Sequence, residues 1–243
     1  MLSLYVKELK SFLSSIIGYI FIGVFLIIAG LFLWVFPNVD NVTEAGLADL
    51  QGLFNLAKFL FIFLVPAITM RSFAEEKRNG TMDLLLTKPL TDMQIVWAKF
   101  LSCLTLLVIA LLPTLVYVVT VYLIGNPIGN LDMGSTWGSY LGLVFLGATF
   151  IAIGLFASSL TNNQIVAFII AAALCFILFF GFAFIYSFES LGAVGYYIKS
   201  IGIEHHYASI SKGVIDTRDV IYFGSVIFVF LYATRMVLLG RKW

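Results

Sequence analysis

The sequence predicts an all-α membrane protein with six transmembrane helices, on the strength of its composition, the length of its apolar runs and the placement of its charges. Of 243 residues, 61% are hydrophobic and 11% charged, with a mean hydropathy of +1.05. Soluble domains are about half apolar and about a quarter charged. Six apolar runs approach the roughly 20 residues that a helix needs to cross hydrocarbon: Ile16 to Phe36, Leu53 to Met70, Ala98 to Ile124, Trp137 to Leu160, Gln164 to Ser187 and Val220 to Leu239. Together they fill one transmembrane domain over residues 1–243. A formal net charge of +1 leaves no basic surface for nucleic acid. The two cysteines, Cys103 and Cys175, sit inside apolar runs and read as buried thiols, with no disulfide or metal pair implied.

The N-terminal segment has Leu2, Tyr5, Val6, Leu9, Phe12 and Leu13 at helical spacing, with Lys7, Glu8, Lys10 and Ser11 on the other side. Such a helix lies in the headgroup plane, its lysines drawn to anionic lipid, as an elbow before the first span. A cytosolic extension of that span fits the same periodicity. The first span begins too late, is too long and lacks a small-residue cleavage site, so it is expected to be retained rather than removed as a signal peptide.

An even number of spans puts both termini on one side, and Lys and Arg choose which. With the N-terminus inside, Lys7, Lys10, Arg71, Lys77, Arg78, Lys88, Lys99, Arg235, Arg241 and Lys242 are inside, while Lys58, Lys199, Lys212 and Arg218 are outside. That distribution predicts N-in, C-in. Lys58, near the outer end of the second span, is expected to snorkel.

The second and third spans are joined by the densest charge cluster, Arg71 to Pro89, RSFAEEKRNGTMDLLLTKP. Ser72 with Glu75 forms a capping-box pattern, Gly80 offers a break, and Thr81 is placed to cap a second short helix that stops before Pro89. Thr91 with Gln94 repeats the capping pattern, with Leu90 and Ile95 placed as a hydrophobic staple, and starts the third span's helix. The connector therefore reads as two short helices with a bend and a stiff exit. Its mixed charges beside Leu84 to Leu86 resemble an interface rim around an apolar centre, whereas the other inside connector, Ser158 to Gln164, is short and uncharged.

Pro66 and Pro113 are expected to kink their spans. In the fourth span, Gly138 and Gly142 form a small-xxx-small pair, continued by Gly147, Ala148, Ala152, Gly154 and Ser158, that favours close helix approach over a substrate path. The last outer loop, Phe188 to Asp219, mixes Gly192, Gly195, Tyr196, Tyr197 and Ile198 with Glu204, His205 and His206, which suggests short helices at the outer interface. Adjacent histidines on a helix point about 100° apart and a third spaced ligand is missing, so no metal site is expected. Asp216 or Thr217 caps the sixth span.

The connector resembles the cytoplasmic segment of ABC-2 type transporter permeases: an acidic and basic cluster, Gly-Thr, an acidic residue, a leucine run and a proline. Here these are Glu75, Glu76, Lys77, Arg78, Gly80, Thr81, Asp83, Leu84, Leu85, Leu86 and Pro89. The stretches Leu31–Phe36, Leu84–Leu90, Gly134 with Ser135, Phe156–Leu160, Asn163–Phe168 and Gly213–Phe223 look like the smaller permease subunit of the gliding-motility-associated ABC transporter of Bacteroidetes. The resemblance spans essentially the whole chain and implies a multi-pass permease of the bacterial inner membrane. In that family the connector supplies the coupling helix that docks on the ATPase, so Phe73 to Leu86 would make this contact. The family also implies re-entrant outer helices closing the exit, in the region of Tyr196, Tyr197, Glu204, His205 and His206. The expected partners are an ABC ATPase dimer, a second permease subunit and membrane lipid.

No G-x-x-x-x-G-K-[ST] loop is present to cradle phosphates, so no cofactor is expected on this chain, and ATP and Mg belong to the partner ATPase. No H-E-x-x-H or G-x-S-x-G motif marks a hydrolase. Glu75-Glu76 is similar to the E-E-x-x-x-R of CAAX-type membrane proteases, but Gly80 stands at the arginine position. The alternative to a transporter subunit is a membrane scaffold or mechanical coupler of an envelope complex.

Overall fold

The computed structural model of the chain describes residues 1–38, 40–44, 46, 48–82, 89–186, 195, 199–214 and 216–240. Ten α-helices are described: α1 (Leu2–Leu13), α2 (Ile16–Trp34), α3 (Gln51–Thr69), α4 (Arg71–Arg78), α5 (Asp92–Leu111), α6 (Leu115–Ile124), α7 (Met133–Leu160), α8 (Gln164–Tyr186), α9 (Ile203–Ile210) and α10 (Thr217–Leu239). Six stretches are long and apolar enough to cross a membrane: α2, α3 with α4, α5 with α6, α7, α8 and α10.

Local sequence fixes most helix starts. Ser15, Asp132 and Asp216 accept a hydrogen bond from a first-turn N–H of α2, α7 and α10 respectively. The Thr91–Gln94 capping box is formed in both directions, at 3.1 and 3.3 Å, and opens α5. Pro113 interrupts the third span as a 3-10 turn, Leu112–Thr114. Thr114 Oγ1 donates to Leu111 O at 2.7 Å and therefore receives the Tyr140 hydroxyl at 2.9 Å, so the broken ladder is satisfied inside the bundle. Pro66, by contrast, is contained within α3.

The bundle is built around α7, which packs on α3, α4, α5, α8, α9 and α10. The most apolar stretch of α7 is 78% buried, against 17% for α10, which makes α7 the axis and α10 a wall. Its small residues explain this position, and they serve different neighbours. A Cβ at Gly154 would lie 2.0 Å from Thr69 Oγ1 of α3, one at Gly147 2.3 Å from Leu107 Cδ1 of α5, and one at Gly138 2.5 Å from Ile210 O of α9. Between membrane helices close packing replaces the hydrophobic drive, and each missing side chain admits one partner.

Replacing Gly154 with alanine must push α3 and α7 apart or turn Thr69 out of its bond to Val65 O. A cost of about 1–3 kcal/mol is expected. Thermal unfolding in detergent should fall clearly for Gly154→Ala and stay near wild type for Gly23→Ala, where the added methyl meets nothing within 4 Å.

Candidate functional site at the α4 end of the bundle

The helix ladder is interrupted at Met70, between α3 and α4. Ser158 of α7 fills the gap. Its Oγ accepts from Phe73 N at 3.0 Å and Ala74 N at 3.1 Å, and donates to Met70 O at 2.9 Å. A serine hydroxyl has one proton and two lone pairs, so all its capacity is spent on this junction. The next residue of α7 continues the tie: the Lys77 ammonium donates to Ser159 O, one of the carbonyls left without a helical partner at the end of α7.

The capping role expected for Ser72 is not the observed one. Because α3 runs almost directly into α4, there is no open N-terminus for Ser72 to cap; the residue is buried, with its hydroxyl 4.0 Å from Cys103 Sγ. Glu75 instead turns along its own helix to Arg71, at 2.8 and 3.0 Å to two guanidinium nitrogens. At the other end, α4 closes in a Schellman arrangement. Thr81 N–H donates to Glu76 O, Gly80 N–H donates to Lys77 O, and Gly80 holds φ +67°, the left-handed geometry that glycine adopts without strain.

The strongest interaction at this end involves a residue read from the sequence only as an inside charge. Lys99, on α5, is 1% exposed. Its ammonium lies 2.8 Å from Glu76 Oε1 and 3.5 Å from Glu8 Oε1, and sits over the Phe73 ring at 5.2 Å. An ammonium in apolar surroundings needs such partners, because its desolvation is otherwise uncompensated. Periodicity puts Glu8 with Lys7 and Lys10 on the wet side of α1; in the structure it faces the bundle beside Leu4, with Tyr5 bonded to Thr105 Oγ1 at 2.9 Å. A usable signal was present. The capping box at Thr91 puts Lys99 two turns inside a helix, where a lysine must find an acid.

These ties sort the expected contact residues. Phe73 is fully buried, and Glu76 and Lys77 point to neighbours in this chain, so they moor α4. Arg78, Asn79, Gly80 and Thr81 are exposed at its tip, while Met82 turns back into the core. Asp83, Leu84, Leu85 and Leu86 lie outside the described residues.

At the opposite end, α9 carries Glu204, His205 and His206. His206 Nδ1 is 2.7 Å from Asp219 Oδ1 and Nε2 is 2.8 Å from Ser200 O, while the ring stacks on Tyr222 at 3.9 Å. The partner of His206 is thus a carboxylate of α10, and His206 works as a strap between α9 and α10. Burial, and after it the neighbouring His206, push the His205 imidazole below its ordinary value. Among the described residues no group of three His, Cys, Asp or Glu side chains is placed to hold a metal. Glu204, His205 and His206 line a cavity of about 840 Å³ with Lys199, Lys212 and Arg218. Tyr196 and Tyr197 lie outside the described residues. Lys58 is half-buried on α3 and reaches over the Tyr207 ring at 5.2 Å.

Removing the Lys99 ammonium leaves two carboxylates facing each other in a buried setting. Lys99→Met should cost about 3–5 kcal/mol, and a Lys99→Met, Glu8→Gln, Glu76→Gln triple variant should recover most of it, read as thermal unfolding midpoints in detergent. Recovery distinguishes charge compensation from packing.

Comparison with known proteins agrees with this architecture. Residues 3–193 match the family model described as ABC-2 family transporter protein, while no curated protein matches the chain. The match covers well over half of the sequence, including α1, α4, Lys99 and Ser158, and the six apolar helices fit a multi-pass membrane protein. The chain therefore belongs to the ABC-2 transporter family, as a membrane-embedded permease component.

Proposed function

We propose that the chain is the transmembrane subunit of an ABC transporter in the bacterial inner membrane, coupled to a separate ATPase dimer through α4 and working beside a second permease subunit. The observation that carries this reading is the mooring of α4. A short charged helix is tied to α7 through Ser158 and Ser159 and to α5 and α1 through Lys99, and it ends in an exposed tip, Arg78 to Thr81. A helix held in this way passes a push at its tip to the axis of the bundle rather than absorbing it. The excess of Lys and Arg at this end of the bundle, Lys7, Lys10, Arg71, Lys77 and Arg78 among them, supports placing it on the cytoplasmic side.

The division of labour follows from burial. The tip residues Arg78, Asn79, Gly80 and Thr81, continuing into Asp83 and Leu84 to Leu86, meet the ATPase. Phe73, Glu76 and Lys77 transmit the displacement. ATP and Mg are held by the partner. The His206 strap and the cavity beside it, at the other end, belong to the outer gate, with Tyr196 and Tyr197. The separated sequence segments similar to the smaller gliding-motility permease support a role of the transporter in that system.

Co-purification with candidate ATPases in detergent tests the assignment. Arg78→Glu reverses an exposed tip charge and should weaken capture about tenfold, equivalent to about 1.4 kcal/mol, without lowering thermal stability. Glu76→Gln should lower stability first. Equal capture by wild type and Arg78→Glu would remove the docking assignment for this tip.

A further inference from the structure

Burial divides α1 into three sectors rather than two. Leu4, Tyr5, Glu8 and Phe12 face the bundle. Leu2, Val6 and Leu13 form an exposed apolar stripe, at 77%, 38% and 37% exposure. Ser3, Lys7, Lys10, Ser11 and Ser14 form an exposed polar stripe beside it. A helix packed on one side, with adjoining apolar and cationic stripes on the other, matches the boundary between acyl chains and headgroups.

The charges of this helix continue inward in strict alternation. The exposed Lys7 ammonium is 3.7 Å from Glu8 Oε1, Glu8 Oε1 is 3.5 Å from the Lys99 ammonium, and Lys99 is 2.8 Å from Glu76 Oε1 on α4. Positive, negative, positive and negative members follow one another, and the positive end opens outward. Lys7 has a side chain 62% exposed; the cleft behind it is lined by Glu8, Glu75 and Glu76, with Arg71 committed to Glu75, so an anion meets Lys7 on its outer side, along the stripe it shares with Lys10. A phosphate anion is the next member by charge, and the exposed Ser11 hydroxyl on the same stripe offers it a donor.

We infer that α1 binds the phosphate of an anionic phospholipid through Lys7, and that this occupancy sets how firmly the Glu8–Lys99–Glu76 chain holds α4. The apolar stripe selects a lipid over soluble phosphate, since the acyl chains lie along Leu2, Val6 and Leu13 while the headgroup meets Lys7 and Lys10. With Lys7 drawn to the phosphate, Glu8 is shared less and pairs with Lys99; without an anion, Lys7 competes for Glu8 and the chain loosens. The α4 tip is thereby a lipid-dependent element. This consequence rests on the reading of α4 as the docking helix, whereas lipid binding is measured without any ATPase.

The experiment places spin labels at Ser14→Cys on α1 and Asn79→Cys on α4 of the full chain in lipid nanodiscs, and compares phosphatidylcholine with mixtures containing phosphatidylglycerol. The expected result is a narrow interlabel distance distribution with phosphatidylglycerol and a broad one without it. In Lys7→Gln the phosphatidylglycerol fraction needed for narrowing should rise about fivefold, Lys7→Arg should restore it, and Glu8→Gln should stay broad in both lipids. High salt should weaken the effect, as exposed charges are screened. Identical distributions for wild type in both lipids, or an unchanged lipid requirement in Lys7→Gln, would overturn the inference. Narrowing by inorganic phosphate in phosphatidylcholine discs would also overturn it, by assigning the site to soluble phosphate.

Discussion

A lysine ammonium at 1% exposure is tolerable only where carboxylates converge on it, and the convergence on Lys99 organises one whole end of this protein. Glu76 comes from α4 and Glu8 from α1, so one cation on α5 fixes the positions of two peripheral helices. Of the two, α4 has little apolar surface, being a helix of eight residues, RSFAEEKR, five of them charged, whereas α1 also packs Leu4, Tyr5 and Phe12 on the bundle. For α4 the electrostatic tie supplies what packing cannot. It also makes both helices sensitive to charge at their exposed ends, since each shares its carboxylate with the same buried ammonium.

The axis helix α7 follows from a different constraint. In an apolar medium every backbone donor and acceptor must be paired within the protein, and helices are held together by close packing and interhelical hydrogen bonds. Glycines along α7 provide the shape by admitting Thr69, Leu107 and the Ile210 carbonyl at separate levels. Serines provide the pairing. Ser158 completes the interrupted ladder between α3 and α4, and at the other end Ser135 and Ser139 both donate to Ser211 O, at 2.9 and 3.2 Å. One helix thus joins the two polar ends of the molecule, at α4 and at α9, through a packed core.

The two ends differ in chemistry. Near α4 the ion pairs are buried and shared among three helices, a setting that resists partial opening. Near α9 the central contact is the His206 ring, held between the Asp219 carboxylate and the Ser200 carbonyl and stacked on Tyr222. Both ring nitrogens are thus engaged, and the ring is held in one orientation between α9 and α10. One end is thus held by shared ion pairs and the other by a hydrogen-bonded, stacked ring.

The sequence by itself determined the six apolar helices, their order and most of their starts, because span length and capping are local properties readable over a few residues. Thr91 with Gln94, Asp216 and the break at Pro113 were all legible in this way, and so was the family, from the charged connector and its leucine run. Only the tertiary structure decided what the polar residues do. Ser72 lost its capping role because α3 leaves no free helix end, Glu8 turned inward because Lys99 needed a second carboxylate, and Ser158 proved to be a clasp rather than one more small residue. His206 took its partner from α10, thirteen positions away. Each of these pairings joins two different helices, and periodicity along one helix gives the face a side chain is on but never which neighbour meets it.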